Sequence, residues 1–112
     1  MRLKPRPFDL ISCGKKTIEL RLNDEKRQKV KIGDHIVFSN SAAPEETITV
    51  KVTALHRFSD FAELYTALPL DKCGYSLQEI ATASPADMDK YYSPAEQKLY
   101  GVLGIEIEKV MP

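Results

Sequence analysis

Apolar residues alternate with polar ones over three stretches of the chain, and each stretch predicts a half-buried strand. In Thr17–Leu22, Ile18, Leu20 and Leu22 share one face, and Thr17, Glu19 and Arg21 share the other. In Thr47–Leu55, Ile48, Val50, Val52 and Ala54 oppose Thr47, Thr49, Lys51 and Thr53, and in Val102–Val110, Leu103, Ile105 and Ile107 share a face. A further strand is expected at His35–Ser39 after the turn Ile32-Gly33-Asp34, with Ser41–Glu46 as the connection to the next. Helical spacing is found elsewhere. Pro7–Cys13, opened by Pro5 and Pro7 and followed by Gly14, reads as a short helix. Phe58–Leu68 repeats at helical period with Ser59 as its expected cap. Three more helix starts follow at Ser76-Leu77-Gln78-Glu79, Ser84-Pro85-Ala86-Asp87 and Ser93-Pro94-Ala95-Glu96, each a serine with an acid three residues on. The polar run Asn23–Lys31 reads as an exposed loop. The order of helix, three strands, short helices and a closing strand lacks any strand–helix–strand repeat. It predicts an α+β domain, a small barrel with short helices on one side.

The length of 112 residues suits one domain, 1–112, with a modest core. An apolar fraction of 43% and a charged fraction of 29% exclude a disordered chain. No apolar run reaches the roughly 18 residues that span a bilayer, and the charged, proline-bearing N-terminus does not read as a signal peptide. A cytoplasmic protein without a membrane partner is expected. The two cysteines, Cys13 and Cys73, have neither paired nor zinc-ligand spacing, so free thiols and no metal are expected. No phosphate-binding or dinucleotide glycine motif occurs, and no cofactor is expected. The net charge is zero, but its distribution is not even. Residues 1–31 hold ten basic residues against four acidic ones, and the rest hold six against twelve. A basic segment of this kind makes a face for phosphates, or is neutralised within the fold by the acidic part.

Gly14-Lys15-Lys16-Thr17-Ile18-Glu19-Leu20-Arg21 carries the most chemistry. Gly14 permits positive φ between helix and strand. Lys16 stands at the mouth of the strand, and Glu19 and Arg21, two residues apart, project from one side. Lysine and arginine suit phosphate, and the carboxylate suits the donor edge of a base. The same pair also reads as a solvated surface ion pair.

GKKTIELR resembles the GxKxxExR motif of the ASCH domain family, with Gly14, Lys16, Glu19 and Arg21 on its fixed positions. Pro7-Phe8 before it, Gly33-Asp34 after it and the terminal Tyr100–Ile107 resemble the family as well. The resemblance implies a PUA-like β-barrel, a cleft between barrel and helices, and RNA or a modified nucleoside as partner. Lys15, Lys16, Glu19, Arg21 and Arg57 are then the expected ligand-binding residues. One branch of the family removes the acyl group from N4-acetylcytidine with a lysine, a threonine three residues later and a distant glutamate. Here the lysine is matched by Lys16, the threonine position holds Glu19, and Asp71 and Glu79 stand at the rough distance of the acid.

Three functions remain open on the sequence. The first is a non-catalytic module that binds RNA or a nucleoside. The second is a small amidohydrolase with Lys16 and Glu19 as catalytic pair, Glu19 acting through a water. The third is a ribonuclease using Lys16 and Arg21 on a phosphorane-like transition state. His56 reads as structural or as a cleft residue. Tyr91, Tyr92 and Tyr100 read as packing residues or as platforms for bases.

Overall fold

The computed structural model describes residues 1–110, so the last two positions of the expected domain lie outside the described residues. Five strands form one mixed sheet: β1 (Arg2–Leu3), β2 (Ile18–Leu22), β3 (His35–Asn40), β4 (Ala43–Phe58) and β5 (Val102–Lys109), in the order β1-β3-β4-β5-β2. Four α-helices accompany them: α1 (Pro5–Ser12), α2 (Phe61–Ala67), α3 (Leu77–Ile80) and α4 (Pro94–Tyr100). Three 3₁₀ segments lie at Arg27–Lys29, Leu70–Cys73 and Pro85–Lys90.

The long strand β4 organises the sheet. Its first half pairs antiparallel with β3 and its second half with β5, and a register shift between Val52 and Ala54 lies just past the residues that pair with both. An irregularity of this kind bends a strand and lets a sheet curl. The curl produces the half-barrel and brings the edge strands β1 and β2 around the same side. Alternation decides what is buried. Leu103, Ile105 and Ile107 of β5 join Ile36, Phe38, Ile48, Val50 and Val52 under α1, while Val102 joins Ile18, Leu20 and Leu22 of β2 against Phe61 and Leu64 of α2.

Several boundaries differ from the pattern-based expectation. The parallel strand β1 escapes it because two residues carry no periodicity. The turn between β3 and β4 is only Ser41-Ala42, and β4 starts at Ala43, so most of the expected connection is strand. Phe58 is the last residue of β4, opposite Val102, and not the start of the helix. The cap of α2 is therefore Asp60, which accepts from Glu63 N at 2.9 Å, and Ser59 is not the cap. The expected loop Asn23–Lys31 contains the 3₁₀ turn at Arg27–Lys29. The serine caps at Ser76, Ser84 and Ser93 form as expected, each with its reciprocal acid. Both cysteines are free thiols, Cys13 exposed and Cys73 buried.

Gly101 joins α4 to β5 with φ of +72°, and a Cβ there would stand 2.8 Å from the Phe58 carbonyl oxygen. The Gly101→Ala variant combines left-handed strain of about 1–3 kcal/mol with a clash against β4 backbone. Its thermal midpoint should fall by several degrees, at roughly 4–8 °C per kcal/mol for a domain near this size. An unchanged midpoint in a calorimetric or circular-dichroism melt would show that the end of β4 yields freely.

Candidate functional site

The site begins where α1 hands over to β2. Gly14 adopts φ of +84° and reverses the chain. Lys16 N then donates to Leu10 O at 3.0 Å, and Thr17 N to Lys72 O at 2.9 Å. These bonds fix the approach to β2, so Lys16 stands just ahead of the strand and Glu19 and Arg21 follow on it. Lys16 Nζ lies 2.8 Å from Glu19 Oε1, and Arg21 Nε lies 2.8 Å from Glu19 Oε2. Arg21 Nη2 also donates to the backbone oxygen of Arg2 at 3.1 Å. Gly74, with φ of +104°, lies against the stem of Lys16: a Cβ on it would meet Lys16 Cδ at 3.2 Å.

These are not solvated charges. Glu19 is 4% exposed and Lys16 9%. Burial alone pushes the Glu19 carboxyl up, but the charges of Lys16 and Arg21 and their hydrogen bonds outweigh it and hold the group below its ordinary value. The triad carries one net positive charge. Among the described residues Glu19 is the sole side-chain partner of Lys16 Nζ, so ammonium hydrogens remain for a ligand. Nearby, burial pushes the Cys73 thiol up to about 11, which keeps it a neutral thiol at physiological pH. The Tyr75 phenol is also raised, first by burial and then by its bonds to Tyr65 and Asp87, and it donates to Asp87 Oδ2 at 3.0 Å.

The triad lines a cleft of about 650 Å³ between the barrel edge and the short helices. Six cationic side chains line it, Arg2, Lys4, Arg6, Lys16, Arg21 and Lys90, against the three carboxylates Glu19, Glu79 and Asp87. Tyr75, Tyr91 and Tyr92 supply aromatic surface. Arg6 of α1 grips Glu79 of α3 with both guanidinium nitrogens, one of them at 2.9 Å. Bonding from Arg6, and then from the Ser76 backbone, draws the Glu79 carboxyl down to about 2.

The expected residues divide clearly. Lys16, Glu19 and Arg21 come together in the cleft. Lys15 is exposed and stands outside the cleft lining, and so does Arg57, exposed on β4 opposite Leu103. His56 contacts Glu106 at 2.7 Å across the sheet and does not line the cleft. Asp71 is outside the lining, Glu79 is inside it but engaged by Arg6, and Tyr100 packs on the core beside β2. Among the described residues no group of three or more His, Cys, Asp or Glu side chains is arranged to hold a metal. Arg2, Lys4, Arg6, Gly74 and Asp87 line the cleft without standing out in the residue pattern. Their signals were the basic start of the chain and a lone glycine between two short helical segments.

A model of the ASCH domain family matches residues 1–111. The chain belongs to the ASCH domain family. The crystal structure of hypothetical protein PH0355 is similar to this ASCH domain at 33% identity, with a TM-score of 0.83 over 98% of this chain and 96% of that one. The solution structure of protein PF0455 from Pyrococcus furiosus is similar at 29% identity, with a TM-score of 0.65 and full coverage of both chains. A crystallised ZmASCH mutant protein from Zymomonas mobilis shares 16% identity and the fold, with a TM-score of 0.66 over 96% of this chain and 65% of that one. No curated protein matches the chain. The expected α+β, PUA-like architecture with short helices is thus the fold of this ASCH domain.

Removing Glu19 leaves the buried Lys16 and the part-buried Arg21 without their anion, a change that costs about 3–5 kcal/mol in comparable buried pairs. Glu19→Gln should therefore melt well below the parent at neutral pH. The sign with pH follows from the depressed carboxyl. Glu19 contributes its full stabilisation above the unfolded-state value near 4.5 and loses it as pH falls through the lower folded value. The stability gap between parent and Glu19→Gln should be constant from pH 7 to about 5 and should narrow below about 4.5. Denaturant melts across that range measure it, and a gap that widens in acid would overturn the assignment.

Proposed function

We propose that this ASCH domain is a binding module that holds RNA or a nucleoside in the cleft, with Lys16, Glu19 and Arg21 as the floor of the site. The observation that carries the reading is the buried triad facing an open, net-positive cleft. Buried ion pairs contribute little net stability compared with apolar replacements, so the fold gains little from one unless something else uses it. The spare donors of Lys16 suit a phosphate or a base carbonyl, and the tyrosines suit a ring.

Binding is favoured over hydrolysis by the state of the candidate nucleophiles and bases. Glu19 stands where the acylcytidine-cleaving branch of the family has its threonine, and two cations hold it ionised at 2.8 Å each. A carboxylate held below its ordinary value is a weak general base. Cys73 is a protonated thiol at neutral pH.

The test is a titration of labelled RNA and of free nucleosides into the parent, Lys16→Ala and Lys29→Ala proteins at one ionic strength. Lys29 is exposed and lies outside the cleft. A desolvated contact to a charged group contributes about 1.5–3 kcal/mol, so Lys16→Ala should weaken binding more than tenfold, and Lys29→Ala by well under that. Lys16→Ala also leaves Glu19 with one partner, so the titrations belong below its melting midpoint. Equal losses would reduce the triad to ordinary positive charge. RNA affinity should also fall as salt rises, because each phosphate contact releases counterions. Affinity unchanged between 50 and about 200 mM salt would remove the electrostatic part of the reading.

A further inference from the structure

We propose that Tyr91, with Lys4 and Lys90, forms an outer stacking subsite at the rim of the cleft, so that the ligand is a single-stranded oligonucleotide with one residue on the triad and its neighbour on Tyr91. This rests on the reading of the cleft as a nucleic-acid site and adds the number of nucleotides and their strandedness.

Tyr91 lines the cleft and is 49% exposed. Its position is fixed from behind. It ends the 3₁₀ segment Pro85–Lys90, and both Tyr91 N and Tyr92 N donate to Met88 O, at 3.0 and 3.1 Å. The Tyr92 ring lies 6.5 Å from that of Tyr91 and is itself stacked on the buried Phe61 at 6.3 Å and 16°. A rigid aromatic series thus runs from the core to the rim, and its last member meets solvent. A ring held in place loses little entropy when a base settles on it.

Two cations converge on that ring from different parts of the chain. Lys4 Nζ, from the link before α1, lies 5.5 Å from the Tyr91 centroid, and Lys90 Nζ lies 5.2 Å away. Both lysines are exposed, and neither forms an ion pair among the described residues. An exposed ammonium over a ring is held more weakly than a nucleobase stacked on one. A base therefore takes the ring face, and the displaced ammonium groups remain beside it, where the flanking phosphates run. This combination of an aromatic platform and tracking cations suits an unpaired strand. The bases of a duplex are already stacked on each other and cannot reach the ring without being splayed out.

Isothermal titrations of a trinucleotide, of the matching nucleoside monophosphate and of a duplex RNA carrying the same sequence, into parent, Tyr91→Ala and Tyr91→Phe proteins, test the proposal. Tyr91 is an exposed rim residue, so neither variant should unfold the domain, and melts confirm it. The trinucleotide should bind the parent more tightly than the monophosphate and the duplex. Tyr91→Ala should weaken the trinucleotide by about 5- to 150-fold and leave the monophosphate unchanged, while Tyr91→Phe should retain parental affinity. The proposal is overturned if Tyr91→Ala leaves trinucleotide affinity intact, weakens both ligands equally, or if the duplex binds as tightly as the single strand. Binding of the monophosphate with no gain for the trinucleotide would overturn this subsite and leave the floor of the cleft as the binding site. Binding of none of the three would overturn both readings.

Discussion

A buried carboxylate between two cations is the constraint around which the rest of this structure is arranged. Glu19 cannot remain ionised at 4% exposure without compensation. Lys16 and Arg21 supply it from either side at 2.8 Å. That requirement reaches outward. Lys16 must arrive just before β2, which calls for the reversal at Gly14 and the backbone anchors to Leu10 and Lys72. Its stem must lie flat, which calls for a residue without a Cβ at 74. Arg21 must be held at the barrel edge, where the Arg2 carbonyl accepts from it. Each device serves the same charge balance.

β2 is the strand on which packing and chemistry meet. Ile18, Leu20 and Leu22 belong to the cluster under α2. Glu19 and Arg21, on the other side, meet the cleft. One strand thus fastens the helical half of the molecule with its even-numbered residues and presents the carboxylate and guanidinium of the ion triad with its odd-numbered ones. Five residues of strict alternation suffice because a strand has a period of two.

Much of this was legible in the sequence for the same reason. The alternation of residues 17–22 places Glu19 and Arg21 on one face, and the resemblance adds Lys16 to them. The exposure of that face was not legible, since alternation separates two faces but does not say what covers each. Here α1 and the segment around Gly74 cover it, so an apparent surface ion pair becomes a buried triad. Arg57 and Lys15 fail to reach the cleft for a related reason: strand register and the turn before β2, neither readable from composition, point them elsewhere. The start of β4 is not legible because Pro44, Glu45 and Glu46 resemble a loop, although at the edge of a curled sheet such residues are tolerated. The helix caps are legible, since a serine with an acid three residues on satisfies its backbone donors locally.

The bond from Arg21 to the Arg2 carbonyl has a consequence for the energetics of the barrel. β1 and β2 are the two free edges of the sheet, and no backbone ladder joins them. A guanidinium from one edge, bonded to a carbonyl on the other at 3.1 Å, stitches that seam with a side chain. The stitch and the cleft floor share one group, so the entropy of ordering Arg21 is spent once for both. Loss of the Arg21 side chain would therefore open the seam and unbalance the triad together. Barrel closure and the charge balance of the triad depend on one side chain.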